Sequence, residues 1–461
     1  MSMTFREEKD SMGSVRVPGD AYFGAQTQRA AENFPISGMT FPPVFLKTLS
    51  LVKQCAAQVN QELGLLPNET ADAIMDACRE VIEGRLDDQF VVDIFQTGSG
   101  TSTNMNMNEV IATRANERLT GQKNGKSPVH PNDHVNMGQS SNDVIPSVIH
   151  ISALRVIDAQ LLPALASLQK ALQAKAQEFA EVQKIARTHL QDAVPIFLGQ
   201  EFSGYARQVA LGRERIGSVL PRLSELALGG TAVGNGLNTH ADFAARTIGL
   251  LSQKTGLDLR EAQDHFEAQS ARDAVVEASG ALKTIAVGLV KIANDIRWLS
   301  SGPRSGLGEI RIPSLQPGSS IMPGKVNPVI PEAVLQVAAQ VIGNDTAITF
   351  GGQAGNFELN VMMPVMAHNF LTSIRLLAAA AQVFATKCIN GIGADREACA
   401  AGIEKSLALT TGLVPYIGYD RAAALAHKAH QSGQTVRQVA LADNILSPEQ
   451  LDRCLGKEPK K

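Results

Sequence analysis

The feature that most constrains the fold is an apolar stripe formed by Ala278, Leu282, Ile285, Leu289, Ile292, Ile296 and Leu299, spaced alternately four and three residues apart. A repeat of this period, kept over three heptads, places every one of these side chains on one face of a helix. A strand cannot satisfy it, because its faces alternate at every residue. The stripe therefore predicts a long helix packed in a bundle with coiled-coil-like contacts. Val276, Val287 and Val290 lie off that seam. A helix apolar on several sides needs cover on more than one of them, which points to association between chains.

A second stripe runs through Leu154, Ile157, Leu161, Leu165, Leu168, Leu172, Ala176 and Phe179, with Pro163 as the place for a kink. Amphipathic patterns over 201–226 and 331–342 add two more helices, the second with Pro331 suited to a first turn. From 363 onward Phe370, Ile374, Leu377, Ala381 and Phe384 repeat the pattern, before the chain becomes more polar toward GKEPKK. No βαβ alternation and no fixed-period repeat interrupts this picture. The organisation expected is a mixed, mostly helical domain over 1–140, a central helical bundle over 141–362 and a small helical domain over 363–461. Aromatic residues make up only 5% of the chain, which also favours closely packed helices over a β-sandwich.

A formal net charge of -3 leaves no electrostatic footprint for nucleic acid. Five cysteines, Cys55, Cys78, Cys388, Cys399 and Cys454, are dispersed without a CxxC pair and read as reduced thiols, not as a zinc site. The first residues, MSMTFREEKDSMG, lack an apolar run, and no stretch approaches about 18 uninterrupted apolar residues. The expectation is a cytoplasmic protein with no membrane partner.

Four polar segments, three of them containing glycine, break the apolar pattern: QTGSGTSTNMNMNEV at 96–110, HPNDHVNMGQSSND at 130–143, RTHLQDAVP at 187–195 and GSSIMPGKVNP at 318–328. Singly, each reads as turn and cap chemistry. Four of them flanking long helices favour a polar pocket. The last is no phosphate-binding loop, because five residues separate Gly318 from Gly324 and Val326 follows Lys325 where a Ser or Thr is needed. It offers two hydroxyls, one ammonium and the Asn327 amide, a set able to donate to a carboxylate. His130 and His134 have the spacing of a metal pair, but Pro131 and the Asn132–Asp133 turn make caps the better reading. His189 sits beside Thr188 in what reads as a short polar break before a helix. Sequence physics leaves it evenly divided between a structural and a catalytic role.

The GSSIMPGKVNP loop resembles the signature of the fumarase/aspartase superfamily. The likeness extends over nearly the whole chain through ENFPISG (32–38), TGSGT (97–101), HPNDHVN (130–136), SSND (140–143), RTHLQDA (187–193), GGTAVGNGLN (229–238) and NFELNV (356–361). His189, where aspartases carry Gln, and SSND in place of STND make the chain similar to the metal-independent, class II branch. The resemblance implies a mainly α, three-domain fold whose central five-helix bundle joins a tetrameric helical core, with pockets shared between chains. It implies reversible hydration of fumarate to L-malate without cofactor or metal. Ser319, His189, Lys325 and Glu332 would be catalytic, and Ser99, Thr101, Ser140, Ser141, Asn142, Thr188, Ser320, Lys325 and Asn327 would hold the dicarboxylate. A secondary dicarboxylate site would involve His130, Asn132 and Asp133. An ammonia lyase acting on aspartate and a catalytically silent helical scaffold are the alternatives.

Overall fold

The computed structural model describes residues 4–455, so the GKEPKK end lies outside the described residues. The chain is mainly α-helical, and its sheets, among the described residues, are all two-stranded. Its five longest helical runs are Ser141–Glu178, Leu198–Leu223, Asp273–Leu299, Val329–Gly352 and Met363–Val383. The stripe residues Ala278, Leu282, Ile285, Leu289, Ile292, Ile296 and Leu299 are all buried, as the 4-3 spacing predicts. So are Phe370, Ile374, Leu377, Ala381 and Phe384. The kink expected at Pro163 takes the form of a π-helical turn, Ile157–Leu161, inside an otherwise continuous helix. Proline has no N–H and its ring crowds the carbonyl four residues back, so a wider turn ahead of it keeps the helix going.

The chain divides into two compact units, and their boundaries fall inside these long helices. The first comprises 1–162, 214–284 and 339–377. It opens with a hairpin, Phe5–Asp10 paired with Gly13–Pro18, followed by helices Ala25–Asn33, Pro43–Glu62, Asn68–Ile82 and Thr101–Thr120. Gly24 has no side chain to cap the Ala25–Asn33 helix. Buried Glu109 does so instead, accepting from the backbone of Gly24 (2.9 Å), Gln26 (2.9 Å) and Thr27 (3.1 Å). Buried polar ties join the long helices here, with Ser279 Oγ donating to Asp345 (2.7 Å) and Asn344 Nδ2 to Ser373 Oγ (3.0 Å).

The second unit comprises 163–213, 285–338 and 378–461. Its helices are tied by Arg213 donating to Gln169 (2.8 Å) and Tyr205 to Asp295 (2.8 Å). Toward its end a separate small core gathers Leu409, Leu413, Leu425, Val439 and Leu451 under short helices. One run, Ser141–Glu178, has the length and apolarity of a membrane span, and 67% of its most apolar window is buried in protein.

Candidate active site

The segment expected to be a polar break before a helix is instead a β-hairpin, Gln183–Thr188 paired with Gln191–Phe197. Its two-residue turn is His189–Leu190, with φ of 56° and 59°. Positive φ at both positions matches the twist of the hairpin, but Asn-Gly is the usual occupant. A histidine and a leucine there cost conformational energy, and the surrounding structure must hold them. The hairpin is fixed at its base by buried ions. Lys184, 1% exposed, donates to Glu201 (2.8 Å) and lies 3.1 Å from Glu309, while Arg187 donates to Glu309 (2.8 Å). Thr188, His189 and Leu190 project from it exposed.

In the same unit the 318–328 loop closes on itself. Gly318 N donates to the Lys325 carbonyl (2.7 Å), and Asn327 Nδ2 donates to the Gly318 carbonyl (2.6 Å). A Cβ at Gly318 would sit 2.6 Å from the Lys325 carbonyl oxygen, so only glycine permits this closure. Ser319 Oγ accepts from the backbone N–H groups of Ile321 (3.2 Å) and Met322 (3.0 Å). Two donors aimed at one hydroxyl oxygen favour its deprotonated form. Ser320 and Lys325 stay exposed. Lys325, Asn327 and Glu332 line a broad cavity of about 1100 Å³ together with Arg297 and Trp298. No hydrogen bond joins His189 to Glu332 within one chain.

The first unit assembles the other polar set. Ser99 Oγ lies 2.7 Å from Thr101 Oγ1, which lies 2.7 Å from Ser141 Oγ, so two sequence segments forty residues apart share one hydroxyl chain. Thr101 opens the helix Thr101–Thr120 and Ser141 opens Ser141–Val156. Two helix N-termini thus meet; side chains already cap the N–H groups of Ser102, Thr103 and Asn142, and what the pair offers a carboxylate is its hydroxyls and its positive dipole ends. Just before this set, Gly98 lets the chain pass close to Val361, since a Cβ there would fall 1.8 Å from the Val361 carbonyl oxygen. Ser140 forms a capping box with Asp143, and Asn142 Nδ2 donates to the Ala232 carbonyl (2.8 Å).

Asp143 is a residue the sequence reading passed over. Fully buried, it accepts from Ser140 N (2.9 Å), Gly229 N (2.9 Å) and Thr231 N (3.1 Å). Burial pushes its carboxyl up, and the three backbone donors and nearby Lys53 oppose that. It ties the Ser140–Asn142 turn to the Gly229–Thr231 loop. The capping-box pattern in SSND was a signal for half of this arrangement, and nothing in the sequence pointed to the other half.

His130 takes the capping role expected of it. Its Nδ1 accepts from Asn132 N (3.3 Å) and Asp133 N (3.2 Å) at the start of a π-helical turn, Pro131–Val135. Among the described residues no group of three or more His, Cys, Asp or Glu is placed to hold a metal ion. Cys55, Cys78 and Cys388 are buried, and burial pushes their thiols up to about 12.

A family model described as Lyase matches residues 13–343, and one described as Fumarase C C-terminus matches 409–458. The class II fumarate hydratase of Mycobacterium tuberculosis is 55% identical over 459 residues, covering 98% of this chain and 95% of that protein. This chain belongs to the class II fumarate hydratase family. The family member of Nitrosomonas europaea is 53% identical, with 97% of each chain covered. The crystal structure of a class II fumarase from Schistosoma mansoni superposes with a TM-score of 0.95 at 40% identity, covering 98% of each chain. The fumarase-type, mainly α fold and the class II branch expected from the motifs are thereby established. The chain is a lyase of that family.

Proposed function

We infer that the chain hydrates fumarate reversibly to L-malate and that its polar segments divide the work as follows. The observation that carries this reading is the hydroxyl chain Ser99–Thr101–Ser141 at two converging helix N-termini, which suits a small carboxylate. With Ser140, Asn142, Thr188, Ser320, Lys325 and Asn327 it holds the dicarboxylate. Ser319 takes the proton from the carbon next to a carboxylate, and its two backbone donors stabilise the alkoxide this requires. The charge left on that carbon spreads onto the neighbouring carboxylate as an aci-carboxylate dianion, which Lys325 and Asn327 stabilise. His189, oriented by Glu332, gives its proton to the departing hydroxyl, which leaves as water on the opposite face, and takes one from water in the reverse direction. Nothing in this sequence of steps calls for a metal, nucleotide or flavin.

The exposed placement of His189 and the lack of a hydrogen bond from it to Glu332 in one chain support pockets completed by other chains. Val287, 55% exposed on the apolar Asp273–Leu299 helix, supports a homotetramer with a shared helical core. The three-domain division at 140 and 362, the secondary dicarboxylate site at His130, Asn132 and Asp133, and a cytoplasmic location belong to the same reading. The test is absorbance of the fumarate double bond after adding malate, then aspartate, to the pure protein. Malate should be converted and aspartate left untouched; faster consumption of aspartate would overturn the assignment.

A further inference from the structure

Away from these polar segments, the first unit contains a cavity of about 250 Å³ lined by Pro146, His150, Ala227, Ala262, Ala268 and Arg272, among others. That is far more than the ~30 Å³ share of a single water, and close to the size that takes a small metabolite. Two of its residues are buried polar groups whose hydrogen-bonding capacity is not met. Arg272, 3% exposed, has no partner for Nη1, and His150, 8% exposed, has none for Nε2. A buried guanidinium N–H without an acceptor and a buried ring nitrogen without a donor are each costly. Neither enters the hydration chemistry.

The polarity of these two unpaired atoms can be read from the contacts. His150 Nδ1 lies 2.9 Å from the Glu225 carbonyl, which can only accept, so Nδ1 carries the proton. Burial, reinforced by the Arg272 charge, pushes the imidazolium down to about 4, so the ring is neutral near pH 7 and Nε2 presents a lone pair. The cavity therefore offers a charged donor at Arg272 and an acceptor at His150. The other charges around it are Arg222, engaged by Glu277 (2.8 Å), and Glu225, engaged by Arg260 (3.0 Å). Glu267 and Asp273 also line it and are exposed to solvent.

We propose that this cavity binds a small carboxylate bearing a donor on the adjacent carbon, an α-hydroxy or α-amino acid, with the carboxylate on Arg272 Nη1 and the hydroxyl or ammonium donating to His150 Nε2. A simple carboxylate meets only half of the arrangement, and a simple alcohol the other half. Glu267 and Asp273 add attraction for an ammonium group. The site is separate from the hydroxyl set: His150 lies eight residues beyond Asn142 on the same helical run, ~12 Å at about 1.5 Å per residue.

Calorimetric titration of the intact protein at about pH 8, where His150 is neutral, distinguishes these contributions. Glycolate, glycine and acetate are the probes. Binding at any other place on the protein is common to the parent and the variants and drops out of the comparison. Either glycolate or glycine should bind at least tenfold more tightly than acetate, and Arg272→Met should remove that binding event. His150→Asn keeps a donor for the Glu225 carbonyl but loses the Nε2 acceptor. It should reduce the tighter probe to the affinity of acetate. Preference for glycine over glycolate identifies an amino acid as the ligand class, and the reverse preference a hydroxy acid. The proposal is overturned if acetate binds as well as both, if no probe binds, or if Arg272→Met titrates like the parent. Should Arg272→Met fail to fold by circular dichroism, an unchanged titration of His150→Asn overturns it alone.

Discussion

Asp143 links stability to the substrate-holding turn. One of its carboxylate oxygens takes the Ser140 N–H and the other takes those of Gly229 and Thr231. Asp143→Asn leaves a single carbonyl oxygen, which can retain Gly229 and Thr231 but turns an NH2 group toward the Ser140 N–H. A hydrogen bond to a charged group contributes roughly 1.5–3 kcal/mol, so the asparagine variant should lose about that much. Asp143→Ala strands three buried donors at roughly 1–3 kcal/mol each, so its loss should exceed ~3 kcal/mol. Urea unfolding followed by circular dichroism should rank parent above asparagine above alanine. Because Ser140 and Asn142 sit on the loosened turn, both variants should also raise KM for malate, and the alanine variant should raise it more. An asparagine variant within ~0.5 kcal/mol of the parent and with unchanged KM would refute the argument. Asn is nearly isosteric with a protonated Asp, so that result would mean the folded protein holds Asp143 neutral and its hydrogen bonds to Ser140, Gly229 and Thr231 are not strengthened by charge.

Three further outcomes are expected. Ser319→Ala should lower kcat by orders of magnitude with little change in unfolding midpoint, since the loop around it is exposed; near-normal turnover would remove Ser319 as the base. Ser319→Ala chains and His189→Asn chains, refolded together in equal amounts, should regain activity in about a quarter of the pockets of a closed symmetric oligomer. Activity no greater than that of the separately refolded variants, with hybrids present by mass, would place both motifs in a pocket of one chain. His150 has a folded pKa of about 4 below an ordinary value of 6.5, so it stabilises the protein above 6.5 and that contribution is lost as pH falls from 6.5 toward 4. At ~1.4 kcal/mol per unit the loss approaches roughly 3 kcal/mol, and His150→Asn should flatten that part of the stability–pH curve. Parallel curves for the two proteins would contradict the burial of a neutral ring.

The helices and their buried faces were legible in the sequence because helical periodicity is local. Ala278 to Leu299 and Phe370 to Phe384 declare a buried face through spacing alone, and the structure buries every one of them. The capping of the Pro131–Val135 turn by His130 was equally local, resting on one side chain and backbone N–H groups within three residues of it. The GSS loop was also visible, since its closure runs between Gly318 and Asn327. The hairpin that carries His189 was missed because its turn residues, His-Leu, are not those that two positive φ values usually select. Only the tertiary structure fixes them there, through Lys184, Arg187 and the distant Glu309. The joining of Ser99, Thr101 and Ser141, the hold of Asp143 on a loop eighty-eight residues away, and the meeting of His150 with Arg272 around one cavity are likewise long-range. Local pattern records which face of an element is buried. Which polar atoms from separate elements end up within hydrogen-bonding distance is settled only when the helices pack.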